Sequence, residues 1–208
     1  MPHRAILVIG GGIGGLTLAL SLHARDIPCR VYEAAPEFRK LGVGINMLPH
    51  AIRVLTGLGL QENLNACGVE AREFTYFNQH GQLIFSEPCG LHAGYEYPHF
   101  SIHRADLHQV LYDAVVGRLG AEAVQFGHRC TGVDQDGDGV TVRFEGVEPA
   151  TGDIAIACDG FHSAVRAQFY PDEGPPQFGG INMWRGVTRR RPFLTGGSVN
   201  RVGTVQRG

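Results

Sequence analysis

The segment "ILVIGGGIGGLTLAL", from Ile6 to Leu20, limits the possible folds of this chain more than any other stretch. It begins in the continuous apolar run "RAILVIG", rich in β-branched residues, which suits a strand buried on both faces of a parallel sheet. Glycines follow at Gly10, Gly12 and Gly15 in G-x-G-x-x-G spacing, and Ile13, Leu16, Thr17 and Leu20 then recur at helical spacing. "PCRVYEAA" reads as a second strand ending at Glu33, completing a βαβ unit of about 30 residues. In such a unit Gly10 permits the tight turn, Gly12 lets backbone approach a pyrophosphate, and Gly15 lets helix and strand pack closely. The helix N-terminus offers free N–H groups and a favourable dipole to phosphates. Glu33 stands eighteen residues after Gly15, where a carboxylate accepts the hydroxyls of a ribose and repels a 2′-phosphate. The constellation predicts dinucleotide binding without separating FAD from NAD.

Beyond Glu33 the texture changes twice. "FRKLGVGINMLPHAIRVLTGLGL" reads as a loop carrying Gly42 and Gly44, then a helix from Pro49, where proline is tolerated in the first turn. "REFTYFNQHGQLIFSE" reads as a hairpin turned at His80-Gly81. "SIHRADLHQVLYDAVVGRLG" returns to amphipathic helix, with Leu107, Val110, Leu111, Ala114 and Val115 on its buried face. A second hairpin turns at Asp136–Gly139, and "GDIAIACDG" reads as a further buried strand. A Pro- and Gly-rich linker follows Arg166, and a strand is predicted from near Ile181, "INMWRGVT". That strand texture has barely begun at Gly208, so the chain reads as the N-terminal part of a longer protein.

Composition narrows the function classes. The chain has 208 residues, 43% of them hydrophobic, and a net charge of −2, which gives no electrostatic case for nucleic acid or an anionic membrane. The basic triplet Arg189-Arg190-Arg191 reads as a solvated loop. Five dispersed cysteines without a C-x-x-C pair read as reduced thiols in a cytoplasmic protein, with Cys29 and Cys158 as small core residues. The Ala5–Ile9 run is too short for a membrane span and has the wrong flanks for a secretory signal. No His/Cys cluster has metal-ligand spacing, so no metal site is expected.

A late strand ending in Asp159-Gly160 is the most specific sign. An NAD dehydrogenase would continue with further βαβ units, whereas this chain inserts a hairpin and then supplies "IACDGFHSAVR". A sharp turn at Gly160 brings backbone close to whatever lies above the sheet, and Asp159 falls at the carboxyl-end crevice where α/β sheets bind ligands. The strand from Ile154 to Cys158 is expected to pair centrally, with Asp159 at the same sheet end as Gly12.

Three motifs in this order resemble the single-component FAD-dependent aromatic hydroxylases, the class A flavoprotein monooxygenases. They are "GGGIGG" with Glu33, "HRADLHQVL" and "CDGFHSAVR"; "LGVGINMLPHAIRVL" and "GGINMWRGVT" look closest to the phenazine-1-carboxylate and salicylate hydroxylases. The resemblance implies an α/β fold: a Rossmann-like FAD-binding domain with inserted strands, and the start of a β-sheet substrate domain. It implies a FAD-binding domain over 1–70 and 101–175, with 71–100 and 176–208 belonging to a truncated substrate domain. Gly12, Gly14 and Gly15 would lie against the FAD pyrophosphate and Glu33 on the adenosine ribose. Arg104 would reach the flavin phosphates or ribityl chain, with a surface helix arginine as the alternative, and Val43 and Gly44 would pass the isoalloxazine ring. Asp159, with Ser163 and Arg166 behind it, would order the crevice used by FAD and NAD(P)H, although an ion-pair role for Arg166 stays open. His50, Tyr76, Phe77 and Arg185 are candidates for the substrate side, with helix capping as the alternative for His50, core packing for Tyr76 and Phe77, and bracing of the domain junction for the Trp184-Arg185-Gly186 segment. No side chain is assigned as catalytic. The implied reaction is hydroxylation of a small aromatic substrate with NAD(P)H and dioxygen. Another FAD oxidoreductase or epoxidase of the superfamily, or an FAD-binding fragment without activity, remains the alternative. The family's later G-D motif does not occur in the chain. Oligomeric state is not legible.

Overall fold

In the computed structural model the glycine turn joins β1 (Ile6–Ile9) to α1 (Ile13–His23), which leads to β2 (Cys29–Tyr32). Then come β3 (Gly44–Met47), α2 (Pro49–Gly57), α3 (Gln61–Cys67), β4 (Gly68–Ala71), the hairpin β5 (Glu73–Asn78) and β6 (Leu83–Pro88), and β7 (His99–His103). The long helix α4 (Arg104–Leu119) follows, then β8 (Val124–Gln125), β9 (Cys130–Asp136), β10 (Gly139–Phe144), β11 (Ala150–Gly152), β12 (Ala155–Ala157), α5 (Ala164–Phe169) and β13 (Ser198–Gly203). Residues 6–39, 42–188 and 191–204 are described, so Arg189 and Arg190 of the basic triplet lie outside the described residues. The chain divides into two compact units, one of residues 1–40 and 108–184, the other of 41–107 and 185–208.

The first unit holds a parallel four-stranded sheet in the order β12-β1-β2-β8. Alternation along β1 sends Leu7 and Ile9 to one face, where they pack with Tyr32 against Val133, Val142 and Phe144 of the antiparallel sheet β11-β10-β9. Helix α1 packs on β1 and β2 and buries Leu16, Ala19 and Leu20. Turn chemistry explains the hairpin of β9 and β10: Asp136 Oδ1 accepts the Asp138 N–H at 2.9 Å, and Gly139 takes a positive φ of 151°.

The second unit contains two three-stranded sheets, β3-β7-β4 and β13-β5-β6. Pro49 opens α2 as expected, and Gly81, at φ 76°, turns the β5–β6 hairpin. Strand β6 is the outer strand of its sheet, with Leu83, Ile84 and Phe85 exposed by 60, 68 and 53%. On α4, Leu107, Leu111 and Val115 are buried, while Val110 and Ala114 are half-buried. Among the described residues no helix is long and apolar enough to cross a membrane.

Two strand expectations are corrected. The strand after Ile154 pairs with β1, Leu7 opposite Ala155 and Ile9 opposite Ala157, but it ends the sheet order instead of lying centrally. It is also not fully buried: Ile154 and Ala157 are exposed. A short apolar run has the same appearance in the middle of a sheet and at its edge. The strand predicted from Ile181 is absent among the described residues, since 181–188 has no regular structure and Trp184 is 88% exposed. A strand needs a ladder partner, and β5 is flanked by β6 on one side and by β13 on the other. Ser198 and Thr195 hydroxyls donate to the Glu73 carboxylate, at 2.7 and 3.0 Å, fixing β13 in that place.

A side chain at Gly10 would overlap the Cys158 carbonyl at a backbone φ of 105°, and one at Gly15 would overlap the Gly10 carbonyl. Gly10→Ala and Gly15→Ala are each expected to destabilise the protein by about 2–4 kcal/mol through overlap and strain. Chemical denaturation of the two variants checks this.

Candidate functional site

The carboxyl ends of β1 and β12 bring the two glycine motifs together. Cys158 N–H donates to the Ile9 carbonyl at 2.7 Å, which brings the Asp159-Gly160 turn beside Gly10. Asp159 therefore lies at the sheet end that carries Gly12, as expected. Its Oδ2 accepts the Ala164 N–H at 2.9 Å, and Ser163 Oγ accepts the Arg166 N–H at 2.9 Å, so both side chains organise the start of α5. Gln168 ties α5 to β9 by exchanging hydrogen bonds with the Val133 backbone at 2.8 and 2.7 Å. The Arg166 guanidinium pairs with Glu173, which realises its ion-pair role.

A cleft of about 260 Å³ opens at this sheet end, and Gly10, Gly12, Glu33, Asp159 and His162 line it. The four glycines divide the work. Gly10 and Gly15 carry close backbone packing, whereas nothing lies within 4 Å of a Cβ built at Gly12 or Gly14. Gly12 is the N-cap of α1 in extended geometry, and no side chain caps the helix. The first-turn N–H groups thus lack intrahelical acceptors on a face kept clear of side chains. Glu33 Oε2 accepts the Gly11 N–H at 2.7 Å and Oε1 accepts the Ala35 N–H at 2.8 Å. A carboxylate has about four acceptor positions, so two remain for hydroxyl donors. Donors at the helix start and an anionic acceptor at the next strand end fit the phosphates and ribose of a dinucleotide. Cys158 adjoins Gly15, and burial pushes its thiol pKa up.

Val43, Gly44 and Arg104 come together in the second unit. Arg104 N–H donates to the Val43 carbonyl at 2.9 Å, and Gly44 opens β3 opposite His103. Gly42 has a φ of 148°, and a Cβ there would stand 2.9 Å from Arg104 Cβ. Arg104 is exposed, and its guanidinium has no protein partner among the described residues. His50 is in the first turn of α2, whose N-cap is Leu48, so it does not cap that helix. It lines a cavity of about 570 Å³ with Arg53, Phe74, Tyr95 and His99. Tyr76 and Phe77 do not line that cavity; Tyr76 lies 6.1 Å from Phe85 with the rings tilted, and under Arg201. Arg185 lies in the irregular, exposed 181–188 stretch.

His108 also reaches the glycine loop, a contact that sequence reasoning missed. Its Nε2 lies 2.6 Å from the Gly11 carbonyl in the glycine loop. Its position on an amphipathic helix among Asp106, Gln109 and Asp113 gave no signal for that contact.

The family described as FAD binding domain matches residues 3–185. The chain belongs to that family. A phenazine 1,6-dicarboxylic acid hydroxylase of Lysobacter antibioticus is 42% identical over 207 residues, covering 93% of this chain and 49% of the relative. A 3-amino-4-hydroxybenzoate 2-monooxygenase of Streptomyces cremeus is 39% identical over 185 residues, covering 88% of this chain and 45% of the relative. The solved structure of Klebsiella pneumoniae HpxO complexed with FAD and uric acid superposes with a TM-score of 0.69 at 33% identity, over 80% of this chain and 42% of that one. The chain spans about half the length of the curated relatives it matches. FAD is thus the cofactor of this domain, and the α/β class with a parallel sheet is that of its solved neighbours.

Gly12→Ala is expected to keep stability within about 1 kcal/mol of wild type and to weaken FAD by roughly 1–3 kcal/mol, because the methyl fills only open space on the phosphate face. Glu33→Ala should instead lower both the melting temperature and FAD affinity, since it frees the Gly11 and Ala35 N–H groups together. Calorimetric titration with FAD and a thermal melt of each variant separate the two patterns.

Proposed function

We propose that this chain is the flavin-holding part of an NAD(P)H-dependent monooxygenase that hydroxylates a small aromatic substrate of phenolic, aromatic acid or phenazine type. The observation that carries this reading is the Asp159-Gly160 turn closing over Gly10 at the cleft shared by Gly12 and Glu33. A plain dinucleotide fold would have continued with another βαβ unit there. The hydroxylase names of its relatives support the same reading.

Each residue then has a defined task. The Gly12 and Gly14 backbone at the start of α1 binds the pyrophosphate through N–H groups on an unobstructed face. Glu33 accepts the ribose hydroxyls with the lone pairs its two backbone bonds leave over. Arg104 supplies a planar cation for the flavin phosphates or ribityl chain, and Val43 and Gly44 provide a stretch without bulk beside the isoalloxazine ring. Asp159 shapes the crevice for FAD and NAD(P)H. When bound, FAD supplies the redox chemistry that couples NAD(P)H oxidation to activation of dioxygen. Residues 1–70 and 101–175 make up the FAD-binding domain in this reading, and 71–100 with 176–208 belong to the substrate domain.

The half-length coverage favours one other reading, an FAD-binding segment without activity of its own. The hydroxylase reading is tested on the protein at its full natural length, and the segment reading by the same assay on this chain alone. An absorbance scan is expected to reveal bound flavin, and a panel of phenols, aromatic acids and phenazines to accelerate NAD(P)H oxidation with hydroxylated product formed. Bound flavin with no aromatic-dependent oxidation or product across the panel would overturn the hydroxylase reading. Arg104→Lys is expected to lower flavin occupancy in the same protein, because a point charge does not replace the guanidinium fork. Wild-type occupancy in that variant would return Arg104 to an ordinary surface role.

A further inference from the structure

Two successive peptide groups in the glycine loop are gripped by side chains. The Gly11 N–H donates to Glu33 Oε2 at 2.7 Å, which holds the Gly10–Gly11 peptide. The next peptide is held in turn, where the Gly11 carbonyl meets Nε2 of His108 at 2.6 Å. A carbonyl has no proton to give, so the imidazole carries its proton on Nε2 and donates it.

Peptide planarity turns this contact into a directional device. The described residues contain no cis peptide bonds, so the Gly11 carbonyl and the Gly12 N–H lie in one plane and point in opposite directions. Holding the carbonyl on His108 therefore aims the Gly12 N–H away from His108. Gly12 lines the cleft and His108 does not, which leaves that N–H on the ligand side. Three consecutive glycines have the greatest backbone freedom available, and no capping side chain orders this helix start. The loop needs an external grip if its donors are to be aligned before a ligand arrives.

His108 is itself well anchored. Its ring stands 4.8 Å from Phe38, Phe38 stacks on Tyr112 at 4.7 Å, and Tyr112 meets Phe126 at 5.9 Å, all centroid to centroid. This ladder fixes the imidazole plane in the first unit, where the Gly11 carbonyl also lies.

We propose that His108 is a positioning residue for the flavin nucleotide: by holding the Gly11 carbonyl it presets the Gly12 N–H toward the pyrophosphate. The inference rests on the FAD reading of the loop and not on the aromatic chemistry. The test uses the full-length protein stripped of flavin, with three variants. His108→Phe keeps a ring on the ladder and removes the donor. His108→Gln restores an N–H near the position of Nε2, and His108→Asn carries the same amide too short to reach Gly11. FAD is titrated by flavin fluorescence and ADP by calorimetry, with a thermal melt of each protein. His108→Phe and His108→Asn are expected to weaken both ligands about 5- to 10-fold, and His108→Gln to stay within about twofold of wild type, the scale of one hydrogen bond. Wild-type affinity in His108→Phe would overturn the proposal. Equal losses in the Gln and Asn variants would also overturn it, because only packing would then be at stake. If His108→Phe does not fold, the Gln–Asn comparison decides by that same criterion. A wild-type protein that binds neither FAD nor ADP would overturn the FAD reading of the loop, and this inference with it.

Discussion

Helix α1 approaches the end of β1 so closely that a methyl group at Gly15 would overlap the Gly10 carbonyl, and a methyl at Gly10 would overlap the carbonyl of Cys158. That approach is what lets the chain reverse from strand to helix in three residues and leaves the helix start facing the sheet end. It also decides where the second motif can go, because the Gly10 Cα rests against the carbonyl of Cys158 and so fixes the Asp159-Gly160 turn beside it. The energetic cost of stacking flexible glycines is offset locally, by bonds from Glu33 and His108 to the two successive peptide units that flank Gly11.

The acids at this sheet end have structural partners before any ligand is considered. Glu33 binds two backbone N–H groups and Asp159 binds the start of α5. Such bonds do not exhaust a carboxylate, which keeps acceptor positions on both oxygens. Pre-bonded carboxylates are also already oriented, so a ligand hydroxyl meets a fixed acceptor and not a mobile one. The same residue can thus order a loop and read a ribose.

The parts of the fold that were legible in the sequence are those with local causes. The first βαβ unit follows from a β-branched run, three glycines and helical spacing, and both hairpins follow from their turn residues. Pro49 marked the start of α2 for the same reason. What was not legible depends on partners distant in the chain. Ile154–Cys158 carries the apolar texture of a central strand, yet its position is settled by which edge of β1 accepts it. "INMWRGVT" has strand composition, but β13 occupies the edge of β5 through Glu73, a contact that spans 125 residues between Glu73 and Ser198. At the site, the glycines and Glu33 were readable because the motif fixes their spacing. His108 was not, since its partner is a backbone carbonyl 97 residues away and no side-chain pattern encodes a carbonyl.

The outer strand of the hairpin has a further consequence, for the colloidal behaviour of the protein. Leu83, Ile84 and Phe85 are consecutive, so they present apolar side chains on both faces of β6, beside a ladder edge with no partner strand among the described residues. Backbone hydrogen bonding at such an edge does not discriminate between sequences, and natural proteins usually guard it with charge or proline. Here Pro88 closes only the far end and Glu87 is the single charge on the strand. In the 208-residue chain by itself, crowding would therefore act first at this hairpin, through these three side chains and not through the flavin loop.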